Sequence, residues 1–170
     1  VNLLDPNPAE FRLVDIARAL SRVPRFGGLT DRFYSVAEHC LFCDRLAILS
    51  NMGDAETRRA VLMHDAAEAY LGDVTRPLKA LLPDYRQIEA RMEAAIFHRF
   101  NVALPKLKEA VRYVDNLALA TEKAALFSAQ PSGTWPGLPS PAPVHFMEPE
   151  TPPDEVEWRF LHRAAGLGLQ

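Results

Sequence analysis

The sequence predicts an all-α domain, a helical bundle, on three observations. Its apolar residues recur at the helical period, residues that open helices stand at the head of the periodic runs, and alternation never persists beyond four residues. With 170 residues, 48% hydrophobic and 24% charged, the chain is long enough to bury a core as one domain. The expected layout is a single domain over 1–170, with a core over about 10–127, a Pro-rich segment over 130–153 and a terminal helix over about 154–165.

Pro8 suits the start of a first helix whose apolar side carries Phe11, Ile16, Ala17 and Leu20. A loop over 21–35 follows, with Gly27-Gly28 and, in or near it, Arg18, Arg22, Arg25 and Arg32. A second helix is expected from about Val36 to Leu49, stopped by Asn51-Met52-Gly53. Asp54 is a good cap for a third, predicted to end near Gly72. Asp84 after Pro83 caps a fourth, running to about Phe100, and Pro105 opens a fifth that reaches about Phe127. Eight of the 14 prolines fall in 130–153, which excludes a helix there and predicts an extended surface wrap. Asp154 to Ala165 closes the chain as a short helix with Trp158 and Phe160.

Several function classes are excluded by composition. The formal charge is −3, with no clustered basic excess, so neither a nucleic-acid polymer nor a membrane surface is an expected partner. No apolar run approaches the roughly 18 residues that cross a bilayer, and Val1 to Glu10 lacks the form of a signal peptide. Two cysteines, Cys40 and Cys43, cannot make a disulfide scaffold, so the cytoplasm is the expected compartment. Three apart on a helix, they read as small buried side chains rather than zinc thiolates.

The chemistry concentrates in the third helix. Ala60 to Met63, Ala66-Ala67 and Ala69 to Leu71 describe a nearly buried helix, yet His64, Asp65 and Glu68 are set within it. A carboxylate buried alone costs several kcal/mol, so such groups are normally paired or bound to metal. For an isolated His-Asp pair a polar core patch is the simpler reading. This pair is not isolated: His39 lies in the second helix, and Asp115 lies on the inward side of the fifth, between Val111 and Leu119. Glu122 stands two turns beyond Asp115, either supporting the same site or as a surface charge.

A His, a His-Asp about 25 residues later and an Asp about 50 further on resembles the HD superfamily of phosphohydrolases. The matching residues are His39, His64, Asp65 and Asp115. His64-Asp65-Ala66-Ala67-Glu68 followed by Gly72-Asp73 is similar to bacterial 5′-deoxynucleotidases. Arg25-Phe26-Gly27-Gly28 and Phe33 to His39 resemble small phage members, including triphosphohydrolases of dATP. The likeness covers about residues 10–127.

The resemblance implies an HD-type helical fold in which the four residues hold one divalent ion. Two imidazoles and two carboxylates suit Zn²⁺, Co²⁺ or Mn²⁺ better than Mg²⁺, which could still accompany a triphosphate. It further implies that Glu68 and Asp73 are catalytic, that Arg25 and Lys79 neutralise phosphate, and that Phe26, with Pro77, walls the nucleoside. The deoxynucleotidases carry Trp where this chain has Phe26, so the resemblance does not extend to base and sugar selection. The implied activity is dATP triphosphohydrolysis, with 5′-deoxynucleotidase action on monophosphates as the alternative. A nucleotide-binding regulator without turnover and a plain helical scaffold are the readings from other classes. A homo-oligomer, dimer or hexamer, is implied as well.

Overall fold

The computed structural model describes residues 1–128, 135, 137–144, 146 and 150–170, and for residues 104 and 105 the backbone alone. Eight α-helices are present among these residues: α1 Leu13–Leu20, α2 Val36–Leu49, α3 Ala55–Met63, α4 Glu68–Leu71, α5 Arg76–Ala80, α6 Pro83–Arg99, α7 Leu104–Leu126 and α8 Pro153–Gly166. No strand accompanies them among the described residues; the nearest thing is an isolated antiparallel bridge between Pro24 and Ser35. The chain is therefore an all-α bundle.

The first expected helix divides. Asn7 caps a short 3₁₀ turn, Pro8–Glu10, and Phe11 and Arg12 are extended before α1 begins. Ser35 opens α2 with a capping box, its hydroxyl accepting from the Glu38 N–H while the Glu38 carboxylate accepts from the Ser35 N–H. α2 packs against α3 and α7, and α8 lies across α1 and α2. Phe11, Leu20, Leu46, Met63, Ile96 and Phe160 are fully buried in the shared core.

The third expected helix does not run to Gly72. α3 ends at Met63, and residues 64–67 turn with i→i−3 bonds, Ala66 N–H to Met63 O and Glu68 N–H to Asp65 O. The physical reason lies in His64. Its Nδ1–H donates to the Val61 carbonyl at 2.7 Å, taking the acceptor that the Asp65 N–H would use in a continuing α-helix. The tightened turn then carries His64 and Asp65 side by side. α5 is a short helix that the periodicity did not predict, and α6 starts at Pro83 rather than at an Asp84 cap.

The C-terminal region is integral to the fold. Val156, Phe160 and Ala164 of α8 are buried in the main core. In the Pro-rich segment, residues 130–134, 136, 145 and 147–149 lie outside the described residues. Of the rest, the Ala142 N–H donates to Thr121 Oγ1 of α7 at 2.9 Å, and Phe146 is buried edge-on against Phe42, ring centres 4.7 Å apart. No helix among the described residues is long and apolar enough to cross a membrane.

Candidate metal centre

Two helices and the turn after α3 deliver the polar cluster. His39 comes from α2, His64 and Asp65 from the turn after α3, and Asp115 from α7. His39 Nε2 lies 3.3 Å from His64 Nε2, 3.3 Å from Asp115 Oδ1 and 3.5 Å from Asp65 Oδ2. His64 Nε2 is 3.2 Å from Asp65 Oδ2. Nε2 of His64 and carboxylate oxygens of Asp65 and Asp115 therefore all lie within 3.5 Å of His39 Nε2.

The outer face of each ring is committed. His39 Nδ1–H donates to Glu122 Oε1 at 2.6 Å, and His64 Nδ1–H donates to the Val61 carbonyl. A neutral ring held this way presents its lone pair at Nε2, so both lone pairs face inward. Two such atoms 3.3 Å apart need a positive charge between them, a proton or a metal ion.

Electrostatics say the same. Burial and Arg25 push the His39 imidazole down, but Glu122 and Asp115 more than offset them and leave it above 6.5. At His64, burial is outweighed by Asp65, which raises the ring well above 6.5. Asp65 is held below its ordinary value against burial by His64, His39 and Arg25, and Asp115 is held down by His39 and His64. The pocket thus attracts cations, and a dication would displace the protons.

Glu122 organises the layer behind. Fully buried, it accepts from His39 Nδ1, from the Tyr34 hydroxyl at 3.0 Å and from Arg25 Nη2 at 3.2 Å. Burial alone would raise its carboxyl, but Arg25 and His39 hold it below the ordinary value, so it is ionised. Arg25 is itself only 8% exposed, with Nη1 3.5 Å from Asp65 Oδ2. It reaches this position because the Arg25 N–H pairs with the Tyr34 carbonyl and the chain then turns sharply through Phe26, Gly27 and Gly28, all at positive φ. Glycine suits two of those positions. Phe26 at φ 55° is strained, and its N–H is anchored on Asp73 Oδ2 at 3.2 Å.

The remaining predicted residues are placed as follows. Glu68 is buried beside the cluster, its carboxyl raised well above 4.5 by burial and then by Asp65 and Asp73. Asp73 is also raised, by burial first and by Asp65. Lys79 donates to Glu89 Oε1 at 2.5 Å and lies 3.9 Å from Glu68 Oε1. Pro77 is exposed in the first turn of α5. Phe26 packs edge-on with Phe127, ring centres 5.4 Å apart, and 6.1 Å from Trp135. Arg76, unremarked in the sequence, bridges to Asp115 Oδ2 and donates to Asn116 Oδ1 at 2.8 Å. Among the described residues, two buried side-chain polar atoms have no hydrogen-bond partner, Arg25 Nε and Glu68 Oε2, and both belong to this cluster. Buried polar atoms are usually hydrogen-bonded, so these two stand out.

No family model matches the chain. The uncharacterized protein YfdR of Escherichia coli K12 is 35% identical over 158 residues, covering 92% of this chain and 84% of that protein. This chain belongs to the YfdR family. The uncharacterized protein RCAP_rcc00048 of Rhodobacter capsulatus is similar at 37% over 173 residues, covering 96% of this chain and 88% of the relative.

Buried His, Cys and Asp side chains in this YfdR-family chain could hold a metal ion. Beyond the four-residue set, His39, Cys43 and His64 place donor atoms within 4.8 Å of one another, as do Cys40, His64 and Asp65. The thiols are the poorer donors. Burial pushes Cys43 well above 9, with Asp115 and Glu122 adding to it, and burial raises Cys40 too. A metal would have to bind each as a thiolate, the form that burial and these neighbouring carboxylates disfavour.

Proposed function

We propose that this protein is a metal-dependent phosphohydrolase of the HD superfamily acting on deoxynucleotides, with His39, His64, Asp65 and Asp115 as ligands of one divalent ion. The observation that carries the proposal is the meeting of two inward-facing Nε2 atoms, 3.3 Å apart, with a carboxylate oxygen from Asp65 and one from Asp115. Zn²⁺, Co²⁺ and Mn²⁺ suit this donor set. Such an ion supplies Lewis-acid polarisation of a phosphate oxygen and a more acidic water at neutral pH.

The chain's own groups then have distinct tasks. Glu122 holds His39 in its tautomer, and Arg25 keeps Asp65 and Glu122 charged and in place. Glu68, buried beside the cluster with its carboxyl raised by burial, is the group placed to pass a proton to the leaving oxygen. Asp73 anchors the turn that carries Arg25 and Phe26. Arg76, whose side chain is 55% exposed, can exchange Asp115 for a phosphate at the mouth. Phe26, Phe127 and Trp135 offer an aromatic wall to a base.

The favoured reaction is cleavage of dATP to deoxyadenosine and triphosphate. A second reading, release of orthophosphate from a deoxynucleoside monophosphate, is supported by one observation. Arg25, Arg76 and Lys79 are each already paired with a carboxylate, which leaves little surplus positive charge for a triphosphate. Incubation with dATP and with dAMP in Mn²⁺, Co²⁺ or Zn²⁺ separates the two by product. Turnover of at least one, lost in Asp115→Asn, is the expected result. No product from either substrate with any of the three ions would remove the hydrolase reading.

A further inference from the structure

Cys43 stands one helical turn beyond His39 on α2, so the two side chains share a face, and both are fully buried. Its Sγ lies 3.5 Å from His39 Nε2, the same nitrogen that stands 3.3 Å from His64 Nε2. One donor atom from each of His39, Cys43 and His64 falls within 4.8 Å of the other two. An ion bound at ordinary lengths to two imidazoles and a thiolate in tetrahedral geometry sets its nitrogens about 3.3 Å apart, and each nitrogen about 3.5 Å from the sulfur. Both spacings match.

Charge decides which kind of ion uses the thiol. Asp65 and Asp115 each place a carboxylate oxygen within 3.5 Å of His39 Nε2, and two carboxylates balance a dication. A dication therefore gains little from a thiolate that burial disfavours. A soft monovalent cation differs. With both imidazoles neutral, it enters as the Cys43 proton leaves to water. A metal–sulfur bond replaces the S–H bond, and the buried pocket gains no net charge. Such an ion also prefers polarisable sulfur and imidazole to carboxylate oxygen. Cys40 falls in a set with His64 and Asp65, which offers one imidazole and a hard oxygen, a poorer match for the same ion.

We propose that this pocket has a second mode of metal binding, in which a soft monovalent cation of the copper(I) class is held by His39 Nε2, His64 Nε2 and the Cys43 thiolate. The two modes share both imidazoles, so the soft ion excludes the divalent one and stops whatever the divalent centre does. Neither the donor spacing nor the exclusion depends on a nucleotide substrate.

The test uses the full chain, freed of metal by chelation and kept reduced and anaerobic. Cu⁺ is added as its acetonitrile complex for spectra, and bicinchoninate competes for it in affinity measurements. Cys40 and Cys43 are the chain's two cysteines, so an ultraviolet copper–thiolate charge-transfer band can come from them alone. One Cu⁺ per chain with such a band is expected, and the loaded protein then takes up no Co²⁺. Cys43→Ser and Cys43→Ala, with helical content checked by circular dichroism, each remove the band and weaken Cu⁺ by about 100-fold or more, since one of three ligands is lost. Cys40→Ser keeps the band, and Asp115→Asn keeps Cu⁺ within about threefold while losing Co²⁺. Four results would each overturn the proposal: no band at one equivalent of Cu⁺; a band that survives in Cys43→Ala or disappears in Cys40→Ser; loss of Cu⁺ in Asp115→Asn; or Cu⁺ and Co²⁺ bound together, one of each per chain. Copper bound by a chain that takes no cobalt would sink the divalent centre and leave the soft site standing.

Discussion

Glu122 carries more of the centre than its position in the sequence suggests. One carboxylate takes Tyr34, His39 and Arg25, so neutralising it removes a counter-charge from a buried guanidinium and loosens a metal-facing imidazole. Glu122→Gln is expected to lower divalent-metal affinity about 10- to 100-fold while leaving the helical content intact, as competition with a chelating dye and circular dichroism would report. Wild-type affinity in that variant would show that His39 does not need the contact. Along α7, Glu122 is two turns from Asp115, which tells the side of the helix it occupies but not how deep that side lies. Arg25 was legible as a residue of the site, yet its role shifts: it lies among Asp65 and Glu122 rather than open to phosphate. Tyr34 and Arg76 carried no local signal, because their partners at Glu122 and Asp115 are 88 and 39 residues away.

Glu93 on α6 gives a second residue-scale test. Burial, then Glu89 and Asp65, push its carboxyl up to about 7 from 4.5. An acid whose pKa rises on folding favours the folded state while protonated. Its contribution is full below about pH 4.5 and is lost as pH climbs through about 7. Glu93→Gln, measured in chelator-treated protein, is therefore expected to gain thermal stability relative to wild type at pH 8 and to gain little at pH 5. An equal shift at both values would contradict the assignment.

At the level of elements, α2, α7 and α8 were legible because each is long, periodic and opened by a recognisable residue. The break after α3 was not legible, since the group that ends the helix is a side chain. His64 Nδ1 takes the Val61 carbonyl, and no propensity scale registers that bond. α5 is five residues long with Pro77 in its first turn, too short to show a period. α8 was expected as an appendage to the core, but Phe160 is fully buried in it and Asp44 of α2 ties Arg58 of α3 to Arg163 of α8. Phe160→Ala is accordingly expected to destabilise the protein by about 3–5 kcal/mol, the range for emptying a buried phenylalanine site. Urea unfolding checks it, and a loss under about 1 kcal/mol would mean that α8 docks loosely.

At the scale of the whole molecule, α2 divides two chemistries. One face presents His39 to an acid-rich pocket that attracts cations, and the other lines a cavity rimmed by arginines. Tyr34 touches both, its ring walling the cavity and its hydroxyl donating to Glu122. The all-α class could be anticipated from the helical period, and the approach of His39, His64, Asp65 and Asp115 from the family resemblance. The cavity could not, because its arginines come from α2, α8 and the loop before α2, and no short motif unites them.

As proposed, His39, His64, Asp65 and Asp115 bind one divalent ion without help from Cys40 or Cys43. The electronic spectrum of the protein loaded with Co²⁺ tests it most directly, since a thiolate on cobalt adds an intense near-ultraviolet charge-transfer band that nitrogen and oxygen donors do not. One Co²⁺ per chain, weak visible bands alone, and loss of the bound ion in Asp115→Asn are expected. An intense near-ultraviolet band that vanishes in Cys43→Ser, or no cobalt bound at all, would contradict it.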